Sequence, residues 1–356
     1  MSRNLRLLAG PKALQSIREN GLDKDQVKIV PGAAGGPKWL VLGRLDRVIF
    51  GEWFKGRSTP VDVIGSSSGA WRFAAAAQTD PIEAEARLEN TYISYKFDIA
   101  SGPRRIKEQC GEMVAKILGP NGANQALTNP SVRLHLMTAR STALSSGEGK
   151  LSLGLPSALA FLANAVSRNT LGLFFRRALF SDPRSDLRFN WADGLTCENY
   201  PLTQKNFADA LLASGSIPIV AEGVKNIEGA NPGTYRDGGV TDYQFGSPLL
   251  SEGKDGIVLY PHYAPTVTPG WLDKHLSWRK ASNYRLARTL ILTPSPEFVT
   301  KLPDRKIPIR QDFVQMTDDE RIPKWRKAAD EAERLADELR EIIAKDAWND
   351  AVKPLP

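Results

Sequence analysis

Cysteine is nearly absent from this chain: 356 residues contain two, Cys110 and Cys197. Two thiols so far apart exclude a disulfide framework and a thiolate metal centre. Histidine is almost as scarce, with His135, His262 and His275 alone, and none has the spacing of a metal-ligand pair. Asp237 and Asp242 are too thin a set to build a metal site, so neither a metal nor another cofactor is expected. No apolar run reaches the ~18 residues of a membrane-spanning helix. The start MSRNLRLLAGPKALQ has Arg3 and Arg6 but no sustained apolar stretch of a secretory leader. A cytoplasmic protein is the default expectation. A strong charge excess is missing too: the net charge is +7, with basic and acidic residues interspersed. Such a balance suits an anionic partner without naming one. No nucleic-acid-binding motif accompanies it, and nucleic acid is not expected as a partner.

What is present is ordinary globular material: 42% hydrophobic and 24% charged residues, enough for a sizeable core. Strand-like and helix-like segments alternate. Pro11–Asn20 predicts a helix, QVKIV (Gln26–Val30) a strand, and LVLGRLDRVIFGEWF a helix. VDVIG is a second strand, AWRFAAAAQ, PIEAEARLENTYISYKF and RRIKEQCGEMVAKIL are helices, and Ser131–Arg140 is a strand. QKNFADALLASGSIP predicts a helix, and three late strands follow in GTYRDGGVTDY, DGIVLYPHY and RTLILTP. This alternation predicts an α/β fold with a central, mostly parallel sheet covered by helices on both faces. The most apolar region, Pro156–Phe180, reads as a pair of buried helices, or else as an interfacial lid whose Arg168, Arg176 and Arg177 meet lipid headgroups. The segment Leu302–Arg310, rich in proline and charge, divides a main domain (1–301) from a C-terminal extension (302–356) ending in one long charged helix with an apolar stripe.

Three short stretches carry chemistry. GSSSG (Gly65–Gly69) fits G-x-S-x-G with Ser67 at the centre, between a strand and a helix. In such an elbow the chain crosses itself closely, which Gly65 and Gly69 permit, and the following helix aims its partial positive charge at the serine. PGAAGGPKW (Pro31–Trp39) is also a strand-to-helix turn, whose backbone amides are free to face an anion or an oxyanion. It is neither a P-loop nor a dinucleotide fingerprint, so a nucleotide is disfavoured. YRDGGVTDY places Asp237 before Gly238 and Gly239; alone, Asp-Gly reads as a turn.

In this order the three stretches resemble the patatin-like phospholipases, whose pattern is G-G-G-x-[RK]-G, G-x-S-x-G and D-G-[GA]. The sequence has Ala34-Gly35-Gly36-Pro37-Lys38-Trp39, Gly65-Ser66-Ser67-Ser68-Gly69 and Asp237-Gly238-Gly239, with Ala34 and Trp39 standing where the family has glycine. LLASGSIPIVAEGV (Leu211–Val224) is similar to the A-S-x-A-x-P block before the family's acid, with Ser216 in place of the second alanine. The likeness spans about residues 26 to 245. It implies a lipid acyl hydrolase with a Ser67–Asp237 dyad, in which Ser67 attacks an ester and Asp237 takes its proton. It further implies an oxyanion hole from the Gly35 and Gly36 amides, with Lys38 orienting the loop. The substrate would be a lipid or other acyl ester, met in transient contact with a membrane surface. Two other readings stay open. One is an α/β-hydrolase esterase whose triad adds His262 or His275 to Ser67 and Asp237. The other is a lipid- or protein-binding module with a decayed site.

Overall fold

In the computed structural model, which describes residues 4–145, 147, 159–189, 191, 193–250 and 253–356 without the side chains of His275 and Ser277, eleven segments form strands. They are β1 (Leu5–Ala9), β2 (Val27–Gly32), β3 (Val61–Ser66), β4 (Val132–Ser141), β5 (Phe175–Ser181), β6 (Cys197–Pro201), β7 (Val224–Lys225), β8 (Thr234–Asp237), β9 (Ile257–Pro261), β10 (Thr289–Pro294) and β11 (Val352–Pro354). All join one sheet in the order β11-β1-β10-β9-β2-β3-β4-β5-β6, with β8 paired to β4 and β7. The centre, from β10 through β4, is parallel throughout. The antiparallel pairs are β1 with β10, β4 with both β5 and β8, and β7 with β8. The fold is thus α/β on a mixed, mostly parallel sheet.

Side-chain alternation sorts the central strands into two faces. Val30, Val61, Val63, Leu134, Leu136, Ala178, Phe180 and Leu259 enter the main core. Helices α1 (Pro11–Asn20), α2 (Gly43–Val48), α3 (Ser68–Ala76), α4 (Pro81–Ser94) and α5 (Gly102–Leu118) contribute to the same core. The opposite side chains, Ile29, Ile64, Met137, Leu179 and Val258, meet Phe245, Leu249 and Leu250, with Leu187, Phe189 and Trp191 packed against them. Those covering segments are irregular chain. Helices on both faces were expected; over these strands the second face is closed instead by aromatic and leucine side chains on loops.

Two further expectations change. Phe175–Ser181, read as the end of a helical pair, is strand β5 between β4 and β6. A strand buried on both faces shows no period-2 pattern, so its apolar run looks like a buried helix. Before it, residues 159–166 are helical and Arg168–Leu173 forms a 3-10 turn; residues 151–158 lie outside the described residues. The long C-terminal helix is two, Asp318–Glu331 and Glu333–Ala344, broken at Ala332. The break lets the first pack on α4 and the second on α2. Among the described residues no helix is long and apolar enough to cross a membrane.

The two ends of the chain meet in the sheet: β11 lies parallel to β1. Glu338 fastens the same place, accepting hydrogen bonds from the amides of Asn4 at 2.8 Å and Leu5 at 2.9 Å. Glu338→Ala would leave both amides dependent on water. A loss of about 1–3 kcal/mol in urea unfolding is expected, and an unchanged midpoint would mean these bonds contribute nothing net.

Candidate active site

The sheet forks where the site lies. β3 ends with Ser66 opposite Met137, and one residue further along β4, Thr138 pairs with Asp237 of β8. A strand has two edges, and β5 occupies the other one over this stretch. β4 therefore passes one edge from β3 to β8, and the two strand ends abut. That register brings Ser67 and Asp237 together.

Ser67 sits between β3 and α3 with φ 54° and ψ −125°, left-handed backbone for a non-glycine residue. Such a conformation costs roughly 1–3 kcal/mol and needs support from its surroundings. The Ser67 N–H donates to Ser214 Oγ at 2.9 Å, and the Ser214 hydroxyl donates to the Met137 carbonyl at 2.7 Å. The Ser67 carbonyl accepts from the Ala70 and Trp71 amides at 2.9 and 3.2 Å. Space is the other support. A Cβ on Gly69 would lie 2.0 Å from the Gly32 carbonyl oxygen, and one on Gly65 would lie 2.5 Å from Ala70 backbone. Neither position admits a side chain.

Ser67 Oγ donates to Asp237 Oδ2 at 2.6 Å. The other carboxylate oxygen accepts from the Gly239 amide at 2.7 Å, and the Asp237 N–H is anchored on the Ser216 carbonyl. Gly238 is required where it stands, since a Cβ there would be 2.2 Å from the Met137 carbonyl oxygen. Asp237 is buried, and this desolvation raises its pKa from 3.8 to about 6, against the lowering effect of the Ser67 and Gly239 hydrogen bonds. The neighbouring hydroxyls of Ser66 and Ser68 are buried without a partner among the described residues. Of the three serines, Ser67 is the one joined to an acid.

No imidazole is described beside this pair. His135 Nε2 lies 2.9 Å from Asp62, and the ring packs on Phe189. His262 is buried with Nδ1 on the Ala264 carbonyl and its ring stacked on Tyr263. Desolvation, then the charges of Lys38 and Arg72, outweigh that hydrogen bond and lower its pKa to about 4. The His275 side chain lies outside the described residues.

The glycine loop stands beside Ser67, as Ala34, Gly35, Gly36 and Lys38 share one cavity with Ser67 and Asp237. Ala34 is clamped from both sides. Its N–H donates to the Tyr243 carbonyl at 2.8 Å, and its carbonyl accepts from the Tyr263 hydroxyl at 2.6 Å, itself held by Gln244 at 2.8 Å. In a trans peptide the Gly35 N–H points opposite the clamped carbonyl. No hydrogen bond from the Gly35 or Gly36 amide is found among the described residues, and Gly36 has φ 56°. Trp39 serves the core rather than the site: it is buried edge-on against Tyr92. Lys38 is half-buried with Nζ 4.8 Å over the Tyr263 ring, and desolvation lowers its pKa.

Ser67 borders two cavities, one of mixed polar and apolar lining and one mostly apolar. One, of about 290 Å³, holds the loop, Asp237, Lys274 and Arg310. The other, of about 480 Å³, is walled by Trp71, Tyr92, Phe97, Ile106, Val220 and Phe313. Ile99, Ile219, Val220 and Val314 at this second cavity are exposed. Among the described residues no group of His, Cys, Asp or Glu is arranged to hold a metal ion.

The sequence motifs located Ser67, Asp237 and their glycines, but missed Ser214, Tyr263, Lys274 and Arg310. Ser214 lay within the LLASGSIP stretch and could have been found there; the others carry no local pattern. Compared with protein-family models and with curated proteins, the sequence matches none.

Burying an ionised Asp237 costs stability. Its folded pKa is raised, so the stabilisation from proton binding is full below pH 3.8 and is lost as pH rises through about 6. Asp237→Asn removes this penalty, on the order of 3 kcal/mol. The variant is expected to melt higher than the wild type at about pH 8 and at a similar temperature near pH 4. A lower melting temperature at both pH values would contradict the electrostatic account.

Proposed function

We propose that the protein is a lipid acyl hydrolase of the patatin-like kind, cleaving acyl esters through a Ser67–Asp237 dyad. One observation carries this reading: a serine on a left-handed elbow, 2.6 Å from a buried carboxylate, between a cavity of mixed lining and an apolar one. A serine hydroxyl is a weak nucleophile until a base takes its proton. Asp237 Oδ2 is within that reach, and its raised pKa makes it a better base than an ordinary carboxylate. Ser67 Oγ attacks the ester carbonyl carbon, and its proton passes to Asp237. The carbonyl oxygen becomes the oxyanion, which the Gly35 and Gly36 amides stabilise; one such donor contributes about 3 kcal/mol. Asp237 returns the proton to the departing alcohol, leaving an acyl group on Ser67. Water then attacks the acyl carbon as Asp237 takes its proton, and the bond to Ser67 Oγ breaks as Asp237 returns that proton to the serine, releasing the acid.

The apolar cavity suits an acyl chain, and the exposed Ile99, Ile219, Val220 and Val314 at its rim suit transient contact with a lipid surface. The triad alternative has less support, because His262 is occupied by Ala264 and stacked on Tyr263.

Ser67→Ala is expected to abolish both ester hydrolysis and labelling by a fluorophosphonate, while Ser66→Ala and Ser68→Ala retain labelling at Ser67. Persistent labelling of the Ser67→Ala protein would reject the nucleophile; a wild type inert to a panel of acyl esters would favour a binding module.

The pH profile tests the base. Asp237 must be ionised to accept the proton, so kcat/KM should be flat above about pH 7 and fall about tenfold per pH unit below about 6. His262→Gln should keep that acid limb. Its disappearance in the His262 variant would point to an imidazole base.

A further inference from the structure

The glycine loop is held from behind by a chain of buried polar groups that the dyad does not include. The Thr268 amide donates to Gln244 Oε1, Gln244 Nε2 donates to the Tyr263 hydroxyl at 2.8 Å, and that hydroxyl donates to the Ala34 carbonyl at 2.6 Å. Gln244, Tyr263 and Ala34 are all buried. Burial also holds the Tyr263 pKa well above the ordinary tyrosine value, so the hydroxyl stays a donor at neutral pH. The ring of the same tyrosine lies against Gly35, where a Cβ would be 2.7 Å from Tyr263 Cε1. Tyr263 therefore both fills the space on one side of the loop and engages its carbonyl.

The peptide between Ala34 and Gly35 has two orientations open to it. A planar peptide turns over by coupled rotation of ψ at one residue and φ at the next, leaving its ends in place, and glycine tolerates both forms. In one form an N–H faces the reacting ester; in the other a carbonyl does, and its lone pairs oppose the oxyanion. Here the Ala34 carbonyl is on Tyr263, so the Gly35 N–H points away from that side. Gly35 lines the cavity with Ser67 and Asp237, whereas Tyr263 stands outside it. Two features select this form. Turning the peptide over would strip the buried Tyr263 hydroxyl of its acceptor. Ala34, unlike the two glycines after it, has a side chain, and its methyl is seated against Gly239, 3.0 Å from where a Cβ on that residue would lie. A side chain there narrows the ψ range of residue 34.

We propose that Tyr263, held by Gln244, is a positioning residue that locks the Ala34–Gly35 peptide with its N–H toward the oxyanion, and that Ala34 is the second half of the lock. The proposal deepens the acyl-hydrolase reading and rests on it. Tyr263 touches no reacting atom and acts through the Gly35 amide.

Tyr263→Phe removes the hydroxyl and keeps the ring beside Gly35, Lys38 and His262. With an acyl ester that the wild type hydrolyses, kcat is expected to fall about 10–100-fold with KM within about twofold, because the amide's bond strengthens in the transition state. An alkyl trifluoromethyl ketone reads the same amide without turnover: Ser67 Oγ adds to the ketone carbon, its proton passes to Asp237, and the ketone oxygen becomes the anion. Affinity for the ketone should fall by the same factor as kcat. The acid limb near pH 6 should stay in place, since Asp237 keeps both its donors. Ala34→Gly should lower kcat about two- to fivefold, through the freedom a glycine regains. Gln244→Leu should lower kcat alone but add little to Tyr263→Phe, as members of one chain do. If Tyr263→Phe does not fold, Ala34→Gly and Gln244→Leu carry the same kcat, KM and ketone readouts. A lower melting temperature with kcat intact, a rise in KM alone, a shifted acid limb or fully additive losses would overturn the positioning role and leave the acyl-hydrolase reading standing. A wild type that neither cleaves an ester nor binds the ketone would overturn both.

Discussion

A crossing of two backbones with no room for a side chain, Gly69 of α3 over the Gly32 carbonyl of β2, fixes where the site's parts stand. β2 and β3 are parallel neighbours with Gly32 opposite Gly65, so their exits leave the sheet side by side. The exit from β3 turns at once into α3, and the exit from β2 becomes the glycine loop. The contact at Gly69 presses the one onto the other. A single close approach therefore sets the distance between Ser67 and the glycine loop, and the strained φ of Ser67 accompanies so sharp a turn.

Charge is arranged differently in the frame and in the site. In the frame, arginines and carboxylates are matched in buried pairs such as Arg72 with Asp46, which hold elements in register without facing solvent. In the site, Asp237 is buried with two hydrogen-bond donors at its carboxylate among the described residues, Ser67 Oγ and the Gly239 amide. An acid so placed is poised between protonated and ionised forms near neutrality. The same low-dielectric setting that makes Asp237 costly to ionise would, on the proposed acyl-hydrolase mechanism, strengthen it as a base.

The parts of the fold that read clearly in the sequence are those where local rules and tertiary demand agree. VDVIG followed by glycine-flanked serines is a β-branched strand, a sharp turn and a helix start at once, and the structure uses it so. Gly238 is legible for a similar reason, because its lack of a side chain is what the Met137 carbonyl requires. Phe175–Ser181 misled because burial on both faces erases the strand period. Val352–Pro354 has no signal of its own; three residues become a strand only because β1 offers an open edge. The same division runs through the site. Ser67, Asp237 and the loop glycines sit in short motifs whose chemistry is local. Tyr263 and Arg310 come to the loop from distant stretches, and nothing near either residue announces that arrival.

The pairing of β1 with β11 has a consequence for how the molecule comes into being. β1 (Leu5–Ala9) is made long before β11 (Val352–Pro354), so that edge of β1 stays unpaired until residues 352–354 have been synthesised. The Glu338 carboxylate that holds the Asn4 and Leu5 amides arrives just as late. A strand edge left open beside leucines is adhesive toward other chains. The wall of both cavities from Ile309 to Val314 is also a late arrival, so a nascent chain that already holds Ser67 and Asp237 still has an open, greasy cleft. Synthesis of residues 309–354 therefore closes the strand edge and the cleft together.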